Sequence, residues 1–199
     1  GGCNLCPPFA FDCNWPPPPP PPPDAGANDL ATAGPPTIPG CQGSCKVDYR
    51  CPAGHSTTLA GTVTIPAGTL PLPGVQVAIP TGSELPGAPG AGPACDPGSA
   101  PELATFSTRT DVYGNFNLSD IPSGDNIPLV IRTGKWQRVV ILPRVVPCAR
   151  TMIPAELTHL PRNQREGNIP QIALSTGGED ALECLLRGPK LGLDDAEFT

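Results

Sequence analysis

From Thr57 onward, apolar residues alternate with small or polar ones in short runs, the period-two pattern of strands that bury one face. The run TTLAGTVTIP puts Leu59, Val63 and Ile65 at its apolar positions, and GVQVAIP puts Val75, Val77 and Ile79 on one face. TFSTRTDVYGNFNLSDIPSG reads as strand, turn, strand, with the turn at Asp111 to Asn115 and Phe116 and Leu118 pointing to one side. IPLVIRTGKWQRVVILP reads as a hairpin. Ile127, Leu129 and Ile131 run in, Thr133 and Gly134 turn, and Val139 and Ile141 run back. A last short strand is predicted over QIAL, residues 171–174, and a helix over Glu179 to Leu186, with acids at its N-terminal turn. Short strands with turn signals at intervals of about 8–12 residues predict an all-β fold, an antiparallel β-sandwich of about seven strands.

Before residue 57 the pattern is absent. That stretch holds six of the nine cysteines and 14 of the 31 prolines, with Lys46 and Arg50 as its cations. Pro16 to Pro23 are consecutive prolines, which can form only polyproline II, a stiff rod of roughly 25 Å at ~3.1 Å per residue. The chain therefore divides into a Cys/Pro-rich extended arm (1–56), a β-sandwich (57–175) and a C-terminal helix and tail (176–199). Within the sandwich, residues 82–100 form a long loop carrying Cys95.

Composition narrows the function classes. Proline and glycine, 31 and 23 of 199 residues, reach the low-complexity range, yet charged residues are only 15%, so the strand-forming half must carry a core. The net charge is −6 and the 12 basic residues are scattered singly, which argues against a nucleic-acid partner. No apolar run approaches the ~20 residues of a membrane span. Nine cysteines without a repeated CxxC pair, and with only His55 and His159 beside them, point to structural disulfides in an oxidising compartment rather than to metal. The expected location is extracellular or at the cell surface, with any secretion signal outside the sequence.

Two strings carry a resemblance: AGTVTIPAGTLPLPGVQVAI and TRTDVYGNFNLSDIPSGDNIPLVI. Together, over Thr57 to Leu142, they resemble the transthyretin-like, carboxypeptidase-regulatory β-sandwich. The resemblance implies that Asp111 and Gly114 make a turn and that Phe116 and Ile121 plug the core. LPRNQREGNIPQIALSTGGEDALECLLR resembles cysteine-rich secreted bacterial proteins that carry this sandwich, in which a further domain follows.

Candidate chemistry is thin. An intradiol-dioxygenase-like iron site would need two Tyr and two His, and Tyr49, Tyr113, His55 and His159 match it in number alone, without the His-x-His spacing that faces both rings to a metal. No zinc-peptidase or nucleophile-elbow motif occurs. Asp111, Asn115, Asn117 and Asp120 are oxygen donors read as a turn before a calcium site. Asn117-Leu118-Ser119 is a glycosylation sequon, and Lys46 is the one lysine placed for an isopeptide bond. No catalytic residue, metal or cofactor is assigned.

Disulfides are expected among Cys41, Cys45, Cys51, Cys95, Cys148 and Cys184, with Cys148 paired to Cys184; Cys3, Cys6 and Cys13 form a separate group, and the odd total leaves one cysteine over. Trp15, Pro16 and Pro23 are the candidate assembly contacts. The functional expectation is a non-enzymatic structural subunit that polymerises with other copies of itself through the arm and the sandwich edges. The alternative is a secreted module that docks a cell-surface carbohydrate, a peptide or a companion domain.

Overall fold

The computed structural model describes residues 45–80, 106–175, 182–187 and 190–197. Nine strands run through them: β1 (Cys45–Val47), β2 (Thr58–Thr62), β3 (Gln76–Ile79), β4 (Phe106–Arg109), β5 (Asn115–Leu118), β6 (Ser123–Thr133), β7 (Trp136–Val145), β8 (Arg150–Met152) and β9 (Gly167–Asn168). Among the described residues two short helices, α1 (Ala155–Thr158) and α2 (Leu182–Leu186), and a 3-10 turn at Asp195–Glu197 complete the elements. The fold is all-β, as the alternation predicts.

The larger sheet has the order β4-β3-β6-β7-β9, and the smaller one β5-β2-β8. All pairings are antiparallel except β2 with β8. Strand β6 organises the larger sheet. Its Ser123–Asp125 stretch pairs with β1 and its Val130–Arg132 stretch with β3. Pro128, which has no N–H to give to a ladder, falls in the gap between them. Leu59, Phe116 and Leu118 of the smaller sheet meet Val77, Ile79, Ile127, Leu129, Ile131, Val140 and Leu142 of the larger in one buried cluster. Burial at ~25 cal/mol per Å² makes this cluster the main stabilising term.

Three departures from the sequence reading have physical causes. The first concerns β7. Its buried apolar residues are Val140, Leu142 and Val145, whereas Ile141 is half-exposed and Val139 only partly covered. The loop between β6 and β7 has two residues, Gly134 and Lys135, so Thr133 pairs with Trp136 and Leu129 with Val140. Residues directly opposite in an antiparallel pair share a face. Val140, not Val139, therefore follows Leu129 inward, and the expected phase was one residue out.

Second, residues 171–174 form no strand, and Ile172 and Leu174 are exposed. The edge of β7 is taken instead by Gly167 and Asn168, opposite Arg138 and Gln137. At Gly167 an added Cβ would lie 2.3 Å from the Gln137 carbonyl oxygen, so the strand crosses at a point open only to glycine. Third, β1 lies inside the segment expected to be an arm, and its pairing with β6 makes residues 45–47 part of the sheet. The predicted C-terminal helix is helical over Leu182–Leu186, and its residues 179–181 lie outside the described residues.

Candidate functional site

The domain has two ends, set by strand direction. Cys45 pairs with Asp125 near the start of β6, and Gln76 pairs with Arg132 near its end. Seven positions at ~3.3 Å per residue separate these points by roughly 23 Å. In the smaller sheet Leu59 pairs with Leu118 at one end and Thr62 with Asn115 at the other. The first end, where the N-terminal segment enters, is the root. The second, with the Asp111–Gly114 turn, is the tip.

At the root, Cys51 and Cys148 form a disulfide with Cα atoms 5.4 Å apart. This corrects the expected Cys148–Cys184 pairing. The cause is the parallel ladder: Thr58 pairs with Arg150, and the Thr58 N–H donates to the Ala149 carbonyl at 3.0 Å, so the chain entering β2 lies beside the turn that precedes β8. The Cys148 N–H donates to the buried Thr57 hydroxyl at 3.0 Å. Cys184 sits on α2, half-buried. Around the same root, the Ser123 hydroxyl donates to the Val47 carbonyl at 3.3 Å, and the Lys46 ammonium donates to the Pro80 carbonyl. Burial pushes the Lys46 pKa down.

The tip is built around one carboxylate. Asp111 Oδ1 accepts the N–H groups of Tyr113 and Asn115, each at 2.8 Å, and Oδ2 accepts Asn115 Nδ2 at 3.4 Å. Gly114 has φ +75°, and a Cβ there would meet Pro71 Cβ and the Val63 carbonyl oxygen at 2.8 Å. The Gly114 carbonyl accepts the Val63 N–H at 2.8 Å, tying the turn to the chain that leaves β2. Beside it, the Thr110 hydroxyl donates to the Leu72 carbonyl at 2.6 Å and accepts the Val75 N–H at 2.9 Å. Arg109 donates to the Gly74 carbonyl at 3.0 Å.

These bonds decide several candidates. Asp111 spends its oxygens on the turn, Asn115 Oδ1 accepts the Thr62 hydroxyl at 2.8 Å, and Asp120 lies beyond the far end of β5. The four candidate oxygen donors are therefore not gathered. Asn117 is exposed on β5 opposite Ala60, accessible as a sequon requires. Tyr113 is at the tip, Tyr49 and His55 are exposed in the segment between β1 and β2, and His159 is buried after α1. Among the described residues no group of three or more His, Cys, Asp and Glu side chains could hold a metal ion. Cys3, Cys6, Cys13, Trp15, Pro16, Pro23, Cys41 and Cys95 lie outside the described residues.

A polar cluster that the sequence reading missed fastens the loop after α1. His159 Nδ1 lies 2.7 Å from the Leu160 carbonyl and donates to it, so Nε2 accepts from Arg162 Nη2 at 3.1 Å. Arg138 reaches from β7 to the His159 carbonyl at 2.9 Å, and Arg162 pairs with Glu166 at 3.2 Å. Burial holds His159 below the ordinary imidazole pKa, and Arg138 and Arg162 add to that against the Leu160 carbonyl and Glu166. For Glu166 burial acts upward, but the Arg162 hydrogen bonds and charge, with His159, outweigh it and hold the carboxyl low. With both ring nitrogens engaged, this imidazole is a structural fastener. The sequence carried no sign of it, because Arg162 and Glu166 stand four apart in a loop rather than on a helix, where that spacing would be a signal.

No protein-family model matches the chain, and no characterised protein matches it. Among the described residues no helix is long and apolar enough to cross a membrane.

Proposed function

We propose that the protein is a non-enzymatic, extracellular structural subunit, a transthyretin-like β-sandwich that assembles with other copies of itself through its N-terminal arm. The observation that carries this reading is the root. The segment that follows the arm is stitched to β6 by β1 and then bonded covalently to the β7–β8 turn through Cys51–Cys148. The double fastening stabilises the domain by closing a long loop, and it also suits an arm under load. An arm that transmits load from one subunit to the next needs it, because tension applied through the arm passes into the central strand and into a covalent bond.

Two general considerations support the reading. A polyproline rod has little conformational entropy left to lose, so docking it costs less than docking a flexible tail. Among the described residues the short outer strands β4 and β5 have an edge without a partner strand, which assembly can cover. Pro16 to Pro23 and Trp15 supply the rod and its aromatic end.

The test is deletion of residues 1–40, a cut that leaves β1 and Cys51 in place. Full-length protein under oxidising conditions is expected to form polymers by size-exclusion chromatography and negative-stain imaging, and the truncated protein to stay monomeric. Identical polymers from both forms, or a full-length protein that stays monomeric at high concentration, would overturn the reading in favour of a secreted binding module.

A further inference from the structure

The tip turn breaks a local rule. Its two central positions hold Val112, 74% exposed, and Tyr113, 45% exposed, where turns ordinarily carry Gly, Asn, Asp or Ser. Neither side chain packs into the core, yet the turn is held at Tyr113, Gly114 and Asn115 by bonds to Asp111 and Val63. Pro71, against which Gly114 packs, is preceded by Leu70, 58% exposed. Three large apolar side chains thus stand in water around one rigid turn. Arg109, at the end of β4 that leads into the turn, adds an exposed cation.

The geometry points to this tip as the receiving surface for the polyproline segment of a second copy of the chain. This inference rests on the reading of the protein as an arm-assembled subunit and deepens it. Aromatic and apolar side chains on a rigid platform are what a polyproline helix recognises, since its flat proline faces pack on rings and its free carbonyls accept hydrogen bonds. The Tyr113 hydroxyl can donate to such a carbonyl. Charge agrees as well. Residues 1–44 contain Asp12, Asp24 and Asp29 and no Lys or Arg, and Asp24 directly follows the last proline of the run. With Trp15 and the prolines along Tyr113, Val112 and Leu70, Asp24 is set to meet Arg109.

The arm-assembly reading, not reach, selects a neighbouring copy as the source, because the residues between Asp24 and Cys45 can span up to ~66 Å, beyond the roughly 23 Å to a chain's own tip. The arm enters the domain at Cys45, on the root side, and the tip lies at the other end of β6. A donor at one end and an acceptor at the other make a head-to-tail contact, which repeats without closing when the rotation between subunits does not return to the start. The surface on the tip and the rod on the arm are then two halves of one joint.

The experiment uses the full chain with the photo-cross-linker p-benzoylphenylalanine in place of Tyr113, prepared in ¹⁴N and ¹⁵N forms and mixed before irradiation. Cross-links from position 113 to residues 15–24 that join a light to a heavy chain are expected. Cross-links only within one chain would show that each tip holds its own arm, and cross-links elsewhere would show that it holds something else; either overturns the proposal. In parallel, the full-length Val112→Ser/Tyr113→Ser variant is expected to raise the concentration needed for assembly at least tenfold with unchanged far-ultraviolet circular dichroism and an unchanged thermal unfolding midpoint. If deleting residues 1–40 abolishes assembly while this variant assembles normally, the arm remains the joint and the tip is not its receiver. If the deletion changes nothing, the arm-based reading itself fails.

Discussion

At the root, two chain segments 97 residues apart are joined by the Cys51–Cys148 bond, and buried Thr57 satisfies the amide beside it. At the tip, one exposed carboxylate, that of Asp111, gathers donors from residues only two and four positions ahead and leaves Val112 and Tyr113 in water. The root is thus closed by a covalent bond across 97 residues. The tip turn takes its shape from bonds within four residues and is anchored to distant chain by hydrogen bonds such as that from the Val63 N–H to the Gly114 carbonyl. Closing a long loop acts on the unfolded chain, so the root should govern whether the domain is folded at all. A local turn acts on the shape of a few residues, so the tip should govern what the folded domain presents.

The comparison can be broken most directly at the root. Replacing both Cys51 and Cys148 with Ala should lower the unfolding free energy by about 4–5 kcal/mol on the loop-entropy model. Urea titration of the variant beside the parent protein measures it, and an unchanged midpoint would mean that the β1 and β8 ladders suffice. Gly114→Ala comes next. It forces a Cβ into a left-handed position and against Pro71 and the Val63 carbonyl, which should cost about 3 kcal/mol by thermal denaturation.

Asp111→Ala should cost about 1–2 kcal/mol for its lost hydrogen bonds. Its signature is local: amide exchange should quicken at Tyr113 and Asn115 and stay unchanged at Cys148. Acidification tests the fastener between the ends. The pKa of His159 is lower in the folded than in the unfolded chain, so below the ordinary imidazole value of about 6.5 the unfolded state binds the extra proton. Stability should therefore be full above that pH and fall as pH drops toward the folded value, with a second loss below the ordinary carboxylate range as Glu166 is protonated. In His159→Asn the first loss, which sets in below about pH 6.5, should vanish from chemical denaturation curves. The smallest effect sharpens the contrast: Val112→Ser/Tyr113→Ser should change stability by no more than ~0.5 kcal/mol, because exposed side chains outside the core contribute little to folding.

Much of the fold is legible along the chain because the interactions that shape it are short in sequence. Phe116 and Leu118 alternate with Asn115 and Asn117, and β5 buries the first pair and exposes the second. The Asp111 to Asn115 turn is visible because its carboxylate bonds amides two and four residues ahead. Strand β7 was ambiguous for a definite reason. Val139, Val140, Ile141 and Leu142 are all apolar, so a period of two has no phase until the two-residue loop at Gly134 and Lys135 sets the register. Strand β1 has only three residues, too few for any period, and exists because β6 offers it an edge.

The sequence by itself determined the all-β class, the strands whose alternation is unbroken, the Asp111 turn and the presence of cysteines suited to disulfides. Only the tertiary structure decided which cysteines meet, which face of β7 is buried and where the two ends of the domain lie. Those outcomes depend on pairings between segments up to 97 residues apart. Alternation records only whether a residue has a buried side. Which partner covers that side is settled when loop lengths and ladder registers bring distant segments together, and the parallel pairing of β2 with β8 is what puts Cys51 beside Cys148.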